Sequence, residues 1–216
     1  MTDKQSKSMK EDAAVNQRVH KLIEKIDQYP QKTENYLKLA TELIEQGSFA
    51  QATQLLEQAK HLVKHPQDLD YNLAVCYYMQ GDFDKSLTLL NQIPNDDLVL
   101  YQKALVFLKL GQGQKALAHA LTIKQVDDKV LELLGDIWLS LGELSEARTC
   151  YEKISPNKRT AKVYFMLGIS ILDSDRKKAT SYLKNAKEKD PKYFKQAQEQ
   201  YGAILKMVNE AEKKND

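Results

Sequence analysis

Ala40, Ala74, Ala104, Gly135 and Gly168 stand 34, 30, 31 and 33 positions apart, and a second small residue follows each of them. The followers are Ala52, Ser86, Ala116 and Ala147, twelve positions on, and Ala179, eleven on. Between the members of each pair lies a polar turn: Gln46-Gly47-Ser48-Phe49, Gln80-Gly81-Asp82-Phe83, Leu110-Gly111-Gln112-Gly113, Leu141-Gly142-Glu143-Leu144, and the shortened Asp173-Ser174-Asp175-Arg176. Two short helices can cross closely only where their facing side chains are small, so each pair of small residues predicts a tight antiparallel helix pair. Large apolar residues recur around them at helical spacing, as in Tyr36, Leu39 and Leu43 with Leu55 and Leu56, or Leu131, Leu134 and Trp138 with Tyr151. One such pair cannot bury its own apolar face, whereas stacked pairs build a continuous core. The expected fold class is therefore all-α, a repeat array.

These residues carry a resemblance to the tetratricopeptide repeat family. Its pattern joins Leu-Gly or Leu-Ala, an aromatic, a Gly-containing turn, Ala and a closing Pro. The second unit resembles it in Leu73-Ala74, Tyr77-Tyr78, Gly81-Asp82-Phe83 and Ile93-Pro94, and the fourth in Leu134-Gly135, Trp138, Gly142, Ala147, Tyr151 and Pro156. The fifth does so in Tyr164, Leu167-Gly168, Ala179, Ala186 and Asp190-Pro191. The third departs from it, with Lys103 before Ala104 and Gly113 where a turn aromatic is usual. The resemblance covers residues 33 to 191 and implies a right-handed α-solenoid of stacked antiparallel helix pairs.

Breakers are few, 5 Pro and 8 Gly in 216 residues, and no apolar run approaches the ~20 residues of a membrane span. The polar N-terminus has no secretory core, so a cytoplasmic address is the default. Residues 1–14 read as a disordered polar tail. Residues 15–30 read as an N-terminal capping helix on Val19, Leu22, Ile23 and Ile26, stopped at Tyr29-Pro30. Five helix pairs fill 31–191. Residues 192–216 form a C-terminal capping helix and tail, with an apolar stripe of Phe194, Ala197, Tyr201, Ile204, Leu205 and Val208.

Phosphate loops, nucleophile elbows and zinc-protease signatures are absent from the sequence, and the expectation is a non-enzymatic chain with no cofactor and no metal. Cys76 and Cys150 lie far apart in predicted helices and read as small apolar residues or free thiols. His61 and His65, four apart, are expected to share a helix face, but two imidazoles make half a zinc shell. Net charge is +2, and the densest basic stretch, from Arg176 to Lys195, is broken by Glu188 and Asp190. It reads as a solvated outer face, with docking of an acidic partner the lesser alternative; no nucleic-acid partner and no membrane insertion are expected.

The resemblance implies that the first helix of each pair lines an inner groove. Carried onto this chain, the groove residues are Leu37, Thr41 and Ile44; Tyr71, Val75 and Tyr78; Tyr101, Leu105 and Leu108; Glu132, Asp136 and Leu139; and Phe165, Ile169 and Leu172. An exposed apolar row of this kind implies a bound partner. The alternative is that curvature or the C-terminal helix packs these side chains as core. The family's clamp for acidic chaperone tails is not expected, because Asn72 alone fits it, while Leu37, Thr41, Leu98 and Gln102 stand where it places Lys, Asn, Lys and Arg. The reading is an interaction module or adaptor holding an apolar peptide or helix, with Tyr71, Tyr78, Tyr101 and Phe165 as anchors. A self-assembling homo-oligomeric scaffold and a stand-alone peptide sensor are the competing functions.

Overall fold

The computed structural model of the chain describes the backbone of residues 2–172 and 174–212 and the side chains of 14–172 and 174–202. Every predicted pair is present: α2 (Thr33–Glu45) with α3 (Phe49–Ala59), α4 (Asp70–Gln80) with α5 (Phe83–Leu90), α6 (Asp97–Lys109) with α7 (Gly113–Thr122), α8 (Asp128–Ser140) with α9 (Leu144–Lys153), and α10 (Ala161–Ser170) with α11 (Arg176–Lys189). Helix α1 (Thr2–Gln28) precedes them and α12 (Pro191–Glu212) follows, with short 3-10 turns at Pro66–Leu69 and Pro156–Lys158 and no strand among the described residues. The chain divides into two compact units, Met1–Val106 and Phe107–Asp216.

All ten small residues of the sequence register are buried. At Gly168 the reason is direct: a Cβ there would stand 2.8 Å from Leu183 Cγ and 3.3 Å from the Ala179 carbonyl oxygen. Ser86 occupies an Ala position at no cost, because its hydroxyl donates to the Ala74 carbonyl at 2.8 Å across the α4–α5 crossing. The turn glycines Gly47, Gly81, Gly111 and Gly142 have φ of 75, 83, 70 and 83°, the left-handed conformation that ends a helix and that side chains disfavour. Asp82 and Asp175 then open the next helices as N-caps, accepting from the Lys85 and Lys178 backbone N–H groups.

In the first unit, α2, α3 and α4 enclose Tyr36, Ala40, Leu56, Leu69, Leu73 and Cys76. A second cluster joins Ala74 and Leu90 to Val99 and Val106 of α6. Helix α1 lies against α2. Arg18 of α1 grips Glu42 in a two-pronged pair at 3.0 and 3.1 Å, and Asn35 donates to the Lys25 carbonyl at 3.1 Å. The helix starts at Thr2 rather than near Val15: residues 2–14 contain no Gly or Pro, and Lys, Ala, Met, Glu and Gln make up more than half of them, so helical propensity carries the backbone where apolar periodicity gives no signal.

In the second unit, α8 to α12 enclose Tyr151, Ile154, Val163, Phe165, Leu167, Ala186 and Ala197. The loop from α9 to α10 is held by Arg159, which is buried and donates to the Glu152 and Ile154 carbonyls at 2.9 Å each. Its guanidinium also lies 5.9 and 6.0 Å from the ring centroids of Tyr164 and Tyr182. Pro191 opens α12 at its first position, where the N–H would have no intrahelical acceptor, with Asp190 as its cap at 2.9 Å from the Tyr193 backbone nitrogen. Of the expected C-terminal stripe, Phe194, Ala197 and Tyr201 join the core, while the side chains of Ile204, Leu205 and Val208 lie outside the described residues, as does Asp173 of the fifth turn.

The third repeat's departures have local explanations. Lys103 stands where the other repeats carry Leu, and it is buried at 5% exposure. Its stem packs inward while the ammonium donates to Asn95 Oδ1 at 2.8 Å, and burial draws its pKa below the ordinary lysine value. Gly113 replaces a bulky turn residue because Leu141 fills the space: a Cβ at Gly113 would lie 2.8 Å from Leu141 Cδ2.

Candidate interaction surfaces

In the unit Met1–Val106 the expected row is partly open. Tyr71, Val75 and Tyr78 follow one another at helical spacing on α4, and each is half-buried, as are Leu37 and Ile44 on α2 and Tyr101 and Leu105 on α6. Their inner edges are anchored. Tyr71 and Tyr78 pack on the cluster of Ala74, Leu90, Val99 and Val106, and the Tyr78 ring tilts against Phe83 with centroids 5.8 Å apart. Burial, and secondarily the charge of Asp96, pushes the Tyr71 phenol pKa upward. Thr41 is exposed, and its hydroxyl donates back to the Leu37 carbonyl at 2.9 Å. Met79 and Leu98 are exposed at 46 and 62% and extend the apolar surface of α4 and α6.

The row is closed in the unit Phe107–Asp216. Phe165 is fully buried: Tyr193, Phe194 and Tyr201 of α12 surround its ring at centroid distances of 6.3, 5.8 and 5.7 Å. It is therefore a core residue and not an accessible anchor; the C-terminal helix covers it, as the packing alternative anticipates. Glu132 and Asp136 are engaged as well. Lys162 of α10 reaches Glu132 Oε1 at 2.8 Å and Asp136 Oδ2 at 2.5 Å, and Tyr151 donates to Asp136 Oδ1 at 2.7 Å. One turn earlier, Asp128 pairs with Lys158 at 2.8 Å. The acids of α8 thus form a ladder that staples α10 and the 3-10 turn before it to α8. Leu108, Leu139, Ile169 and Leu172 are half-buried, and Leu139 and Ile169 pack on the core of this unit.

The electrostatics of this ladder follow from its burial. Burial works against the charge of Lys162, but Asp136 and Glu132 outweigh it and the ammonium pKa is raised. Burial, then the charge of Asp136, drives the Tyr151 phenol far above its ordinary value, and burial pushes Tyr193 up to about 12.

A tetratricopeptide repeat family profile matches residues 43–106. The Caenorhabditis briggsae tetratricopeptide repeat protein 30 homolog is 36% identical over 50 residues, 23% of this chain but 8% of that relative's length. Among solved structures, the Cut9 and Hcn1 assembly of the APC/C superposes with a TM-score of 0.72 at 16% identity over 83% of this chain and 38% of that one. PilF of Pseudomonas aeruginosa gives 0.70 at 16% identity, covering 88 and 91% of the two chains. YrrB, described as a TPR protein with an unusual peptide-binding site, gives 0.54 at 17% identity, covering 82 and 97%. Residues 43–106 carry the tetratricopeptide repeat pattern, and the fold of the chain is that of tetratricopeptide repeat solenoids.

Two further features of the fold were not legible beforehand. On the side of α4 away from Tyr71 and Tyr78 lies an open cleft of about 530 Å³ over Leu73, Tyr77 and Leu89, rimmed by Glu57, Lys60, His61, Lys85 and Thr88. Its charged groups are internally paired: Tyr77 donates to Glu57, Lys60 meets Asp70 at 2.7 Å, and Lys85 meets Asp82 at 2.8 Å. Burial and the Glu57 bond push the Tyr77 phenol up to about 12. The second feature corrects an expectation. His61 and His65 do not share a helix face, because α3 ends at Ala59 and Val63 turns inward to the core, leaving His65 extended before Pro66. Among the described residues no group of three or more His, Cys, Asp or Glu is placed to hold a metal ion, and no helix is long and apolar enough to cross a membrane.

Proposed function

We propose that this tetratricopeptide repeat protein is a non-catalytic protein–protein interaction module, acting at a cytoplasmic address, whose recognition surface is the first-helix face of the unit Met1–Val106. The partner presents an apolar extended or helical segment to Tyr71, Val75, Tyr78, Tyr101 and Leu105, with Leu37 at the margin. The supporting observation is the half-buried state of the α4 row. Tyrosines whose inner edges are fixed by packing offer large contact area at little entropic cost on binding. A narrower surface than the sequence suggests follows from the second unit, where Phe165 is enclosed and Glu132 and Asp136 are bound to Lys162. The engagement of Tyr193, Phe194 and Tyr201 within their own chain favours this module over a scaffold that lends its C-terminal stripe to another copy. The peptide-binding site described for YrrB, a protein of like fold, agrees with the reading.

The test is in-cell crosslinking and affinity capture with the Tyr71→Ala, Tyr101→Ala double variant. Loss of captured partners with unchanged circular dichroism supports the surface. Capture that survives the substitutions refutes it, and loss of folding assigns the row to the core.

A further inference from the structure

Residues 176–195, which span α11 and the start of α12, hold eight Lys or Arg against Glu188 and Asp190, a balance of +6 in a chain whose total is +2. The remainder is therefore net acidic by four. All eight basic residues are exposed. Helix α11 buries Ala179 and Ala186 and packs Leu183 inward. At 3.6 residues per turn, Arg176, Lys177, Lys184 and Lys187 fall within about a quarter to a third of the circumference, beginning at the edge of the Leu183 seam, with Glu188 at the far edge of the same arc. Three acids lie beside them. Asp175 and Asp190 cap helices, each 2.9 Å from a backbone nitrogen, and Glu188 lies 3.8 Å from Lys184. Among the described residues no ion pair joins Lys177, Lys187 or Lys189.

We propose that this face docks reversibly on an anionic phospholipid surface. Seven of the eight cations are lysine. Arginine is the usual choice where planar, bidentate recognition selects one carboxylate or phosphate, whereas lysine ammoniums act as hydrated point charges suited to a diffuse field of headgroups. No large apolar side chain is exposed among the described residues 174–202. Attachment is then Coulombic and interfacial, without insertion, and sensitive to salt. The face lies in the second unit and does not depend on the Tyr71 and Tyr78 surface.

Sedimentation of the full chain with vesicles of phosphatidylcholine, alone or with about 30% phosphatidylserine, tests this at about 0.1 M and about 0.5 M salt. Binding is expected only with phosphatidylserine and only at the lower salt. Each basic residue near the surface is worth about five-fold in partitioning, so Lys184→Glu with Lys187→Glu is expected to lower it by about 25-fold or more. Arg176→Gln with Lys177→Gln gives a milder loss and guards against misfolding of the first variant, and Lys38→Glu, on an exposed site of the first unit, leaves binding intact. Absence of phosphatidylserine-dependent binding overturns the proposal, as does binding insensitive to both α11 variants. Retention on duplex DNA or polyglutamate without vesicle binding overturns it in favour of a macromolecular polyanion.

Discussion

The phenol ring of Tyr151 occupies the space where a side chain on Gly135 would have to stand. A Cβ at Gly135 would lie 2.7 Å from Tyr151 Cδ1 and Cζ, with Cε1 nearer still, while the phenol itself donates to Asp136 one residue along at 2.7 Å. The glycine thus permits both the α8–α9 crossing and the hydrogen bond that joins this crossing to the Lys162 ladder. Gly135→Ala is expected to destabilise the protein by about 1–3 kcal/mol through overpacking. Tyr151→Leu in the same chain recovers part of that loss. Urea unfolding midpoints measure both, and a Gly135→Ala midpoint equal to the parent's contradicts the packing account.

Lys162 neutralises two carboxylates from a neighbouring repeat. Replacing it with Met leaves Glu132 and Asp136, about a quarter exposed, facing one another without a cation. The expected cost is about 1–3 kcal/mol, less than for a fully buried pair because water reaches both acids. Adding Glu132→Gln is expected to restore part of the stability by removing the repulsion. No recovery in that double variant, read by the same unfolding curves, argues that Lys162 acts through packing alone.

Stability should fall on the alkaline side. Tyr151, Tyr193 and Lys162 all have pKa values raised in the folded chain, Tyr193 to about 12. A raised value means that the unfolded chain releases its proton first. The contribution is intact below the ordinary values near 10 and is lost as pH climbs through the folded ones. Melting temperature is expected to be level from pH 7 to about 8, to slip as the buried thiols enter their own linkage, and to decline more steeply above about 9.5, less so in Tyr193→Phe. A flat profile to pH 12 rules this linkage out.

Cys76 and Cys150 are buried, and burial pushes the Cys76 thiol up to about 11. Both are expected to react slowly with a thiol reagent at pH 8 and promptly in denaturant, since thiolate and access are needed together. A rapid reaction of the native protein would show that α4 or α9 opens locally.

Arg159 joins the last turn of α9 to the rings of Tyr164 and Tyr182. Arg159→Met keeps the stem but leaves the Glu152 and Ile154 carbonyls without this donor, at an expected cost of about 2–3 kcal/mol. Arg159→Lys should recover little, because one ammonium cannot reproduce the planar fork. Full recovery by Lys, in thermal melts, would show that charge alone matters there.

The all-α class, the five pairs and the glycine turns were legible because they depend on local chemistry: small residues twelve apart, left-handed glycine and apolar periodicity. The positions of Lys103 and Gly113 were visible as departures, though the Asn95 acceptor and the Leu141 side chain that explain them were not. The first-helix row was legible as positions and illegible as a surface. Tyr71 and Phe165 look alike in sequence; one is half-buried, and the other lies beneath Tyr193, Phe194 and Tyr201. Likewise Glu132 and Asp136 looked like free acids until Lys162 met them from 30 and 26 positions away. The sequence by itself determined where helices begin, turn and cross, since those choices are settled within a few residues. Tertiary structure alone decided which side chains remain available to a partner, because burial and ion pairing are set by whichever distant segment comes to rest against them.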